Sequence, residues 1–146
     1  MNYNDVEILF IDDNMDDATL TMHALKKGGL TNTIFHVKDG AEALDFMYCK
    51  GIFTSRNIHT QPKLILLDLK MPKVSGIEVL EKLKSDFAHK TVPVVVLTSS
   101  KEDPDVKRCY ELGANSYIVK PVESVAFFNA IKDLGMFWMN LNYVSK

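Results

Sequence analysis

The chain has 146 residues, 47% of them apolar, with 17 basic against 19 acidic side chains and a formal charge of −2. That length suits one domain with a single core. The slight acidity excludes the basic field that nucleic acids and anionic membranes recruit, and no run nears the ~20 apolar residues of a membrane span.

The first residues lack a basic region followed by an apolar one, so no signal peptide is expected and the expected location is the cytoplasm. Cys49 and Cys109 lie far apart and read as reduced thiols. Glu7 to Ile11 contains a continuous apolar run short enough for a buried strand, ending at Asp12-Asp13-Asn14. Adjacent carboxylates repel by ~1–4 kcal/mol at about 4 Å, a cost that a bound cation offsets. Asp and Asn also cap helices, and Asp16 and Asp17 are assigned to that role, which leaves Asp12 and Asp13 for chemistry. A helix is expected from Asp16 to Lys27, with Ala18, Thr21, Met22 and Leu25 on one face and Gly28-Gly29 ending it.

Ile34 to Val37 reads as a strand and Ala41 to Tyr48 as a helix burying Ala43, Leu44 and Met47. The stretch 49–63 is long and mixed; Ile52, Phe53 and Ile58 are expected to fold it partly back onto the body. His23, His36, His59 and His89 show no metal-ligand spacing.

Leu64 to Leu67 is a second strand type buried on both faces, and it ends in Asp68. In an open α/β sheet, ligands sit beyond the carboxyl ends of the strands, where that carboxylate falls. Ser75-Gly76 opens a helix with Ile77, Leu80, Leu83 and Phe87 expected on one face. Pro93 to Leu97 is a strand ending in Thr98, Ser99 and Ser100, and Asp103-Pro104 opens a helix carrying Val106, Tyr110 and Leu112. Ser116 to Val119 is a fifth strand ending at Lys120-Pro121, and a last helix begins near Glu123.

Five strands alternating with helices predict a five-stranded parallel α/β sheet with helices on both faces. Four strands end in chemistry at one sheet edge: two carboxylates, a carboxylate, a hydroxyl and an ammonium. Carboxylates for Mg²⁺ with a lysine and a hydroxyl opposite are the groups that phosphoryl transfer requires.

Asp12-Asp13, Asp68 within Leu-Asp-Leu-Lys-Met-Pro-Lys-Val-Ser-Gly, Thr98-Ser99 and Lys120-Pro121 resemble the receiver domain of bacterial two-component response regulators. More narrowly, the 49–63 loop and the apolar tail with Phe137-Trp138 resemble the small standalone regulators paired with bacterial phytochromes. The resemblance implies a flavodoxin-like (βα)5 fold with strand order 2-1-3-4-5, as a single receiver domain over 1–146. It implies that Asp68 is the phosphoacceptor, served by a sensor histidine kinase, with a phytochrome as the narrower reading. Asp12, Asp13, Asp68 and the backbone carbonyl of Lys70 would hold Mg²⁺; Lys120 would pair with phosphoryl oxygens. Pro121 would follow a cis peptide, and Thr98 and Tyr117 would form the switch. Receivers vary at the second residue after the nucleophile; here it is Lys70, long and basic, which with Ser100 is expected to border the phosphoryl group and to affect the lifetime of the acyl phosphate.

The expected role is that of a signalling protein that alters partner binding, not an enzyme with a separate substrate. No residues are expected to remain for an output domain, and the output partner is unknown from the sequence. Competing readings are a haloacid-dehalogenase-like aspartyl phosphatase, a flavodoxin-like cofactor binder and a non-phosphorylated receiver scaffold. The first would need its nucleophile early in the chain, the second phosphate-binding glycines after the first strand, and the third a broken acidic triad. Finally, the last helix is expected to mediate a homodimer. Phe127, Ile131, Leu134, Trp138 and Leu141 fall in one stripe, while Val125, Phe128, Met136 and Met139 form a second apolar group.

Overall fold

The computed structural model describes residues 2–71, 74–100 and 102–134. Strands β1 (Ile8–Ile11), β2 (Ile34–Val37), β3 (Leu64–Asp68), β4 (Val94–Thr98) and β5 (Ser116–Val119) alternate with helices α1 (Met15–Lys27), α2 (Gly40–Met47), α3 (Gly76–Ser85), α4 (Pro104–Leu112) and α5 (Ser124–Leu134). The strands are all parallel and lie in the order β2-β1-β3-β4-β5. The continuous apolar runs arise because β1, β3 and β4 are covered on both faces.

Alternation along each strand divides the core in two. Ile8, Phe10, Leu64, Leu66, Val95, Leu97 and Ile118 face α1 and α5, where Ala18, Leu25, Phe127 and Ile131 meet them. Leu9, Ile11, Ile65, Leu67, Val94 and Val96 pack with Ala43, Phe46, Met47, Val79, Leu80, Leu83 and Cys109 of α2, α3 and α4. Helix ends follow local chemistry. Ser75 and Glu78 form a reciprocal capping box at α3, and Gly113, at φ 108°, closes α4 in the left-handed conformation.

Several expected faces are corrected. Phe87 is not on the α3 face: the helix ends at Ser85, Asp86 is extended, and the ring is 85% exposed, so Val79 takes the buried position. In α4 the buried pair is Val106 and Cys109, while Tyr110 is 45% exposed. In α2 Phe46 is fully buried beside Ala43 and Met47, with Leu44 only partly covered.

The 49–63 segment is anchored by fewer apolar groups than expected, and by one that was not. Phe53, in a short 3-10 turn over Gly51–Phe53, is buried, but Ile52 and Ile58 are exposed. Phe53 joins a ring cluster with Tyr3, Phe35 and Phe46 at centroid separations of 4.9–5.9 Å. The second anchor is Arg56, 6% exposed, whose guanidinium lies 4.1 Å from the Phe46 ring centroid. It donates to the carbonyls of Phe46 and Thr60, the latter at 2.7 Å, and meets Cys49 Sγ at 3.5 Å.

In α5, Phe127 and Ile131 belong to the core; Val125 is 68% exposed and Phe128 39%. The expectations for Met136, Phe137, Trp138, Met139 and Leu141 lie outside the described residues. Among the described residues no helix is long and apolar enough to cross a membrane.

Candidate functional site

The strand order reverses between β1 and β3, and at such a switch point the loops diverge and leave a crevice at the carboxyl edge. A cleft of about 240 Å³ opens there, lined by Asp13, Asn14, Asp17, Asp68, Lys70, Thr98, Ser99 and Lys120, among others. Ligand oxygens of Asp12, Asp13 and Asp68 all lie within 4.8 Å of one another.

Each side chain is positioned by its element. Asp12 follows β1 and is fully buried; its Oδ1 accepts the Asn14 N–H at 3.0 Å and its Oδ2 meets Lys120 Nζ at 3.0 Å. His36 on β2 braces the same turn, its Nε2 2.7 Å from the Asp12 carbonyl. Asp13 is exposed on the cleft side. Asp68 is the last residue of β3 and 6% exposed. Its Oδ1 accepts the Lys70 N–H at 3.4 Å and its Oδ2 lies 3.4 Å from Lys120 Nζ. Gly76 makes this end of β3 possible, since a Cβ there would sit 2.3 Å from the Asp68 carbonyl oxygen. Lys120 follows β5, and its peptide bond to Pro121 is cis.

Thr98 ends β4, is 2% exposed, and donates its hydroxyl to the Ser100 carbonyl at 3.1 Å. Ser99, rather than the expected Ser100, lines the cleft. Tyr117 on β5 is half-buried, its ring edge-on to Tyr110 at 6.2 Å. The ammonium of Lys70 pairs with Asp103 at 3.4 Å, although the residue borders the cleft.

The assignment of Asp17 to helix capping is corrected. Asn14 is the cap: its side chain accepts the Asp17 N–H at 3.0 Å. The Asn14 N–H is already held by Asp12, so Asp17 has no capping donor to reach back to. Its carboxylate instead lies 3.5 Å from Lys120 Nζ. The Asn-x-x-Asp spacing reads as a capping box, so the sequence carries no local signal for the Asp17–Lys120 contact.

Four carboxylates, of Asp12, Asp13, Asp17 and Asp68, thus border or underlie the cleft with one ammonium, that of Lys120, ion-paired among them. Electrostatics follow from that imbalance. Burial pushes the Asp68 carboxyl up to about 6, opposed by Lys120 and reinforced by Asp12. Burial also works against the Lys120 charge, but the hydrogen bond to Asp12 and the charges of Asp68, Asp12 and Asp17 outweigh it and hold the ammonium above its usual range. The surplus of hard, acceptor-only oxygens fits a hard divalent cation.

The response regulator receiver domain model matches residues 8–132. Among curated proteins, the chain is 35% identical to the probable methanogenesis regulatory protein FilR2 of Methanothrix harundinacea, over 92% of this chain and 84% of that one. It is 34% identical to response regulator Rcp1 of Synechocystis, over 90% and 88%. Rcp1 has also been solved in a Mn²⁺-bound form, at TM-score 0.72 and 32% identity, covering 94% of this chain and 98% of that one.

Among solved structures, the bacteriophytochrome response regulator RtBRR has TM-score 0.84 and 46% identity, covering 95% of this chain and 81% of that one. AtBRR, also a bacteriophytochrome response regulator, has TM-score 0.83 and 45% identity, covering 95% and 96%. The phosphorylated cyanobacterial phytochrome response regulator RcpA has TM-score 0.73 and 34% identity, covering 94% and 97%.

Proposed function

This chain belongs to the response regulator receiver family, and from that premise we propose that Asp68 accepts a phosphoryl group from the phosphohistidine of a sensor histidine kinase. The observation that carries the reading is the cluster of Asp12, Asp13 and Asp68 with Lys120 reaching into it. In the transfer, an Asp68 oxygen attacks phosphorus, a P–O bond forms, the P–N bond breaks, and the histidine ring keeps the electron pair. Two contacts orient the nucleophile before any donor arrives: the Lys70 N–H on Oδ1 and Lys120 on Oδ2.

Asp12, Asp13, Asp68 and the Lys70 carbonyl would hold the cation, which we assign as Mg²⁺; when bound it supplies neutralisation of charge on the transferring group. The Mn²⁺-bound form of Rcp1 supports a divalent ion at such a site. Lys120 would move from its carboxylates to the phosphoryl oxygens as a compact point charge. Thr98 would exchange its Ser100 carbonyl for a phosphoryl oxygen, and Tyr117 would turn inward behind it. Phosphorylation thereby shifts a two-state equilibrium, because only the phosphorylated state offers Thr98 and Lys120 these contacts.

Similarity to bacteriophytochrome response regulators supports a phytochrome as the kinase partner. The whole 146-residue chain is read as one receiver acting by partner binding in the cytoplasm, with a second copy joined through the last helix. Sedimentation of wild type against Val125→Glu at micromolar concentration tests the pairing; identical monomers in both samples would remove it.

The test of the main reading is Asp68→Asn. Acetyl phosphate with Mg²⁺ should leave hydroxylamine-labile phosphate on the wild type and none on the variant, while both give the same circular dichroism. Labelling of the variant at wild-type levels would sink the assignment.

A further inference from the structure

Lys70 leaves a cleft rich in carboxylates and pairs instead with Asp103, a residue outside it. The two ends of that pair differ: the Lys70 side chain is 66% exposed, whereas that of Asp103 is 5% exposed. A nearly buried carboxylate needs partners on every side. Asp103 has them. It caps α4 by accepting the Asp105 N–H at 2.9 Å, and it lies within hydrogen-bond reach of the Thr98 hydroxyl. Its own N–H returns to the Ser100 carbonyl at 3.2 Å, the same carbonyl that accepts from Thr98. One carboxylate therefore ties together the loop after β3, the end of β4 and the first turn of α4.

We propose that Lys70 is a two-position latch, its ammonium held by Asp103 in the resting protein and drawn to the phosphoryl group once Asp68 is modified. The inference rests on the reading of Asp68 as phosphoacceptor and adds how the β4–α4 junction is restrained. Three features carry it. The Lys70 main chain is already fixed at Asp68 by its N–H, so its flexible stem pivots from a point beside the acceptor. An aspartyl phosphate places roughly two negative charges there, against the single charge on Asp103. Departure of the ammonium leaves Asp103, among the described residues, with the Asp105 N–H and the neighbouring Thr98 hydroxyl, and Thr98 then loses the arrangement that keeps its hydroxyl on Ser100. Lys70 acts here as a positioning residue; the bonds of the transfer are made elsewhere.

The experiment uses trifluoroberyllate with Mg²⁺ as the phosphoryl probe, followed by amide NMR in wild type, Asp103→Asn, Lys70→Gln, Lys70→Arg and the Asp103→Asn/Lys70→Gln double variant. Asparagine still caps α4, and glutamine keeps the Lys70 carbonyl. Without the probe, amides of Thr98 and of residues 102–106 in Asp103→Asn and Lys70→Gln should move along the line joining free and probe-bound wild type. Lys70→Arg should stay near wild type. Asp103→Asn should bind the probe roughly two- to fivefold more tightly, since an ion pair with one exposed member holds the resting state only weakly. Lys70→Gln should weaken binding in the Asp103→Asn background, making the two substitutions non-additive.

Wild-type shifts and affinity in Asp103→Asn, with probe binding still abolished by Asp68→Asn, would overturn the latch alone. Probe binding that survives Asp68→Asn would overturn the phosphoacceptor reading and the latch with it.

Discussion

Two regions of this molecule bury charge, and they do so in opposite ways. At the carboxyl edge of the sheet, three carboxylates contact one ammonium, with Asp13 beside them. Under the 49–63 segment, Arg56 is buried with no carboxylate among its contacts with the described residues: it meets two carbonyls, the Cys49 sulfur and the face of Phe46. Two carbonyl dipoles and the Phe46 face hold the guanidinium well enough to fix a loop, although its Nε is buried without a hydrogen-bond partner among the described residues. The edge site is left with surplus charge that a cation and a phosphoryl group can neutralise. Burial of charge serves structure where its partners are backbone, and chemistry where the imbalance persists.

The comparison breaks first at Arg56. Arg56→Ala should cost about 2–4 kcal/mol in urea unfolding, because it removes the hydrogen bonds to the Phe46 and Thr60 carbonyls and empties the space over the Phe46 ring. Trifluoroberyllate affinity should be unchanged. Loss of probe binding with intact stability would mean that the two regions are not independent.

A second test uses pH. The Asp68 carboxyl is pushed up to about 6 in the fold, against 3.8 in the unfolded chain. Below the lower value both states are protonated, and above the upper one both are ionised. The folded protein therefore loses stability as pH rises from about 4 to about 6, and the full penalty is present at neutrality, at most about 3 kcal/mol. The Asp68→Asn variant should lack this decline, so its stability relative to wild type, measured in a metal chelator, should grow across that window. Glu7 and Asp103 carry lowered values and act in the other sense, at more acid pH. Parallel curves for the two proteins would show that Asp68 ionises in the fold without strain.

The smallest effect sharpens the contrast. Asp13→Asn should lower Mg²⁺ affinity by roughly tenfold, about 1.4 kcal/mol, since one charged ligand is removed. Stability without metal should be equal or slightly higher, as repulsion beside Asp12 and Asp68 is relieved. Isothermal titration and urea unfolding read the two sides separately. Unchanged affinity would remove Asp13 from the site.

Much of this was written locally. A strand buried on both faces must be apolar throughout, so β1, β3 and β4 stand out as short runs, each ending at a polar residue (Asp12, Asp68, Thr98) that is itself buried at the sheet edge. Parallel order then carries Asp12, Asp68, Thr98 and Lys120 to one edge, because successive crossovers return the chain in the same direction. The sequence by itself thus determined the fold and the acidic cluster. Only tertiary packing decided which acid does what. Asp16 and Asp17 read alike, yet Asp17 alone reaches Lys120, because Asn14 took the cap and Asp12 took the Asn14 N–H. Phe87 looked like core, but α3 stopped short of it. Arg56 and the Lys70–Asp103 pair left no periodic signal at all. Such contacts depend on where distant segments come to rest, and a pattern of neighbours along the chain carries no record of that distance.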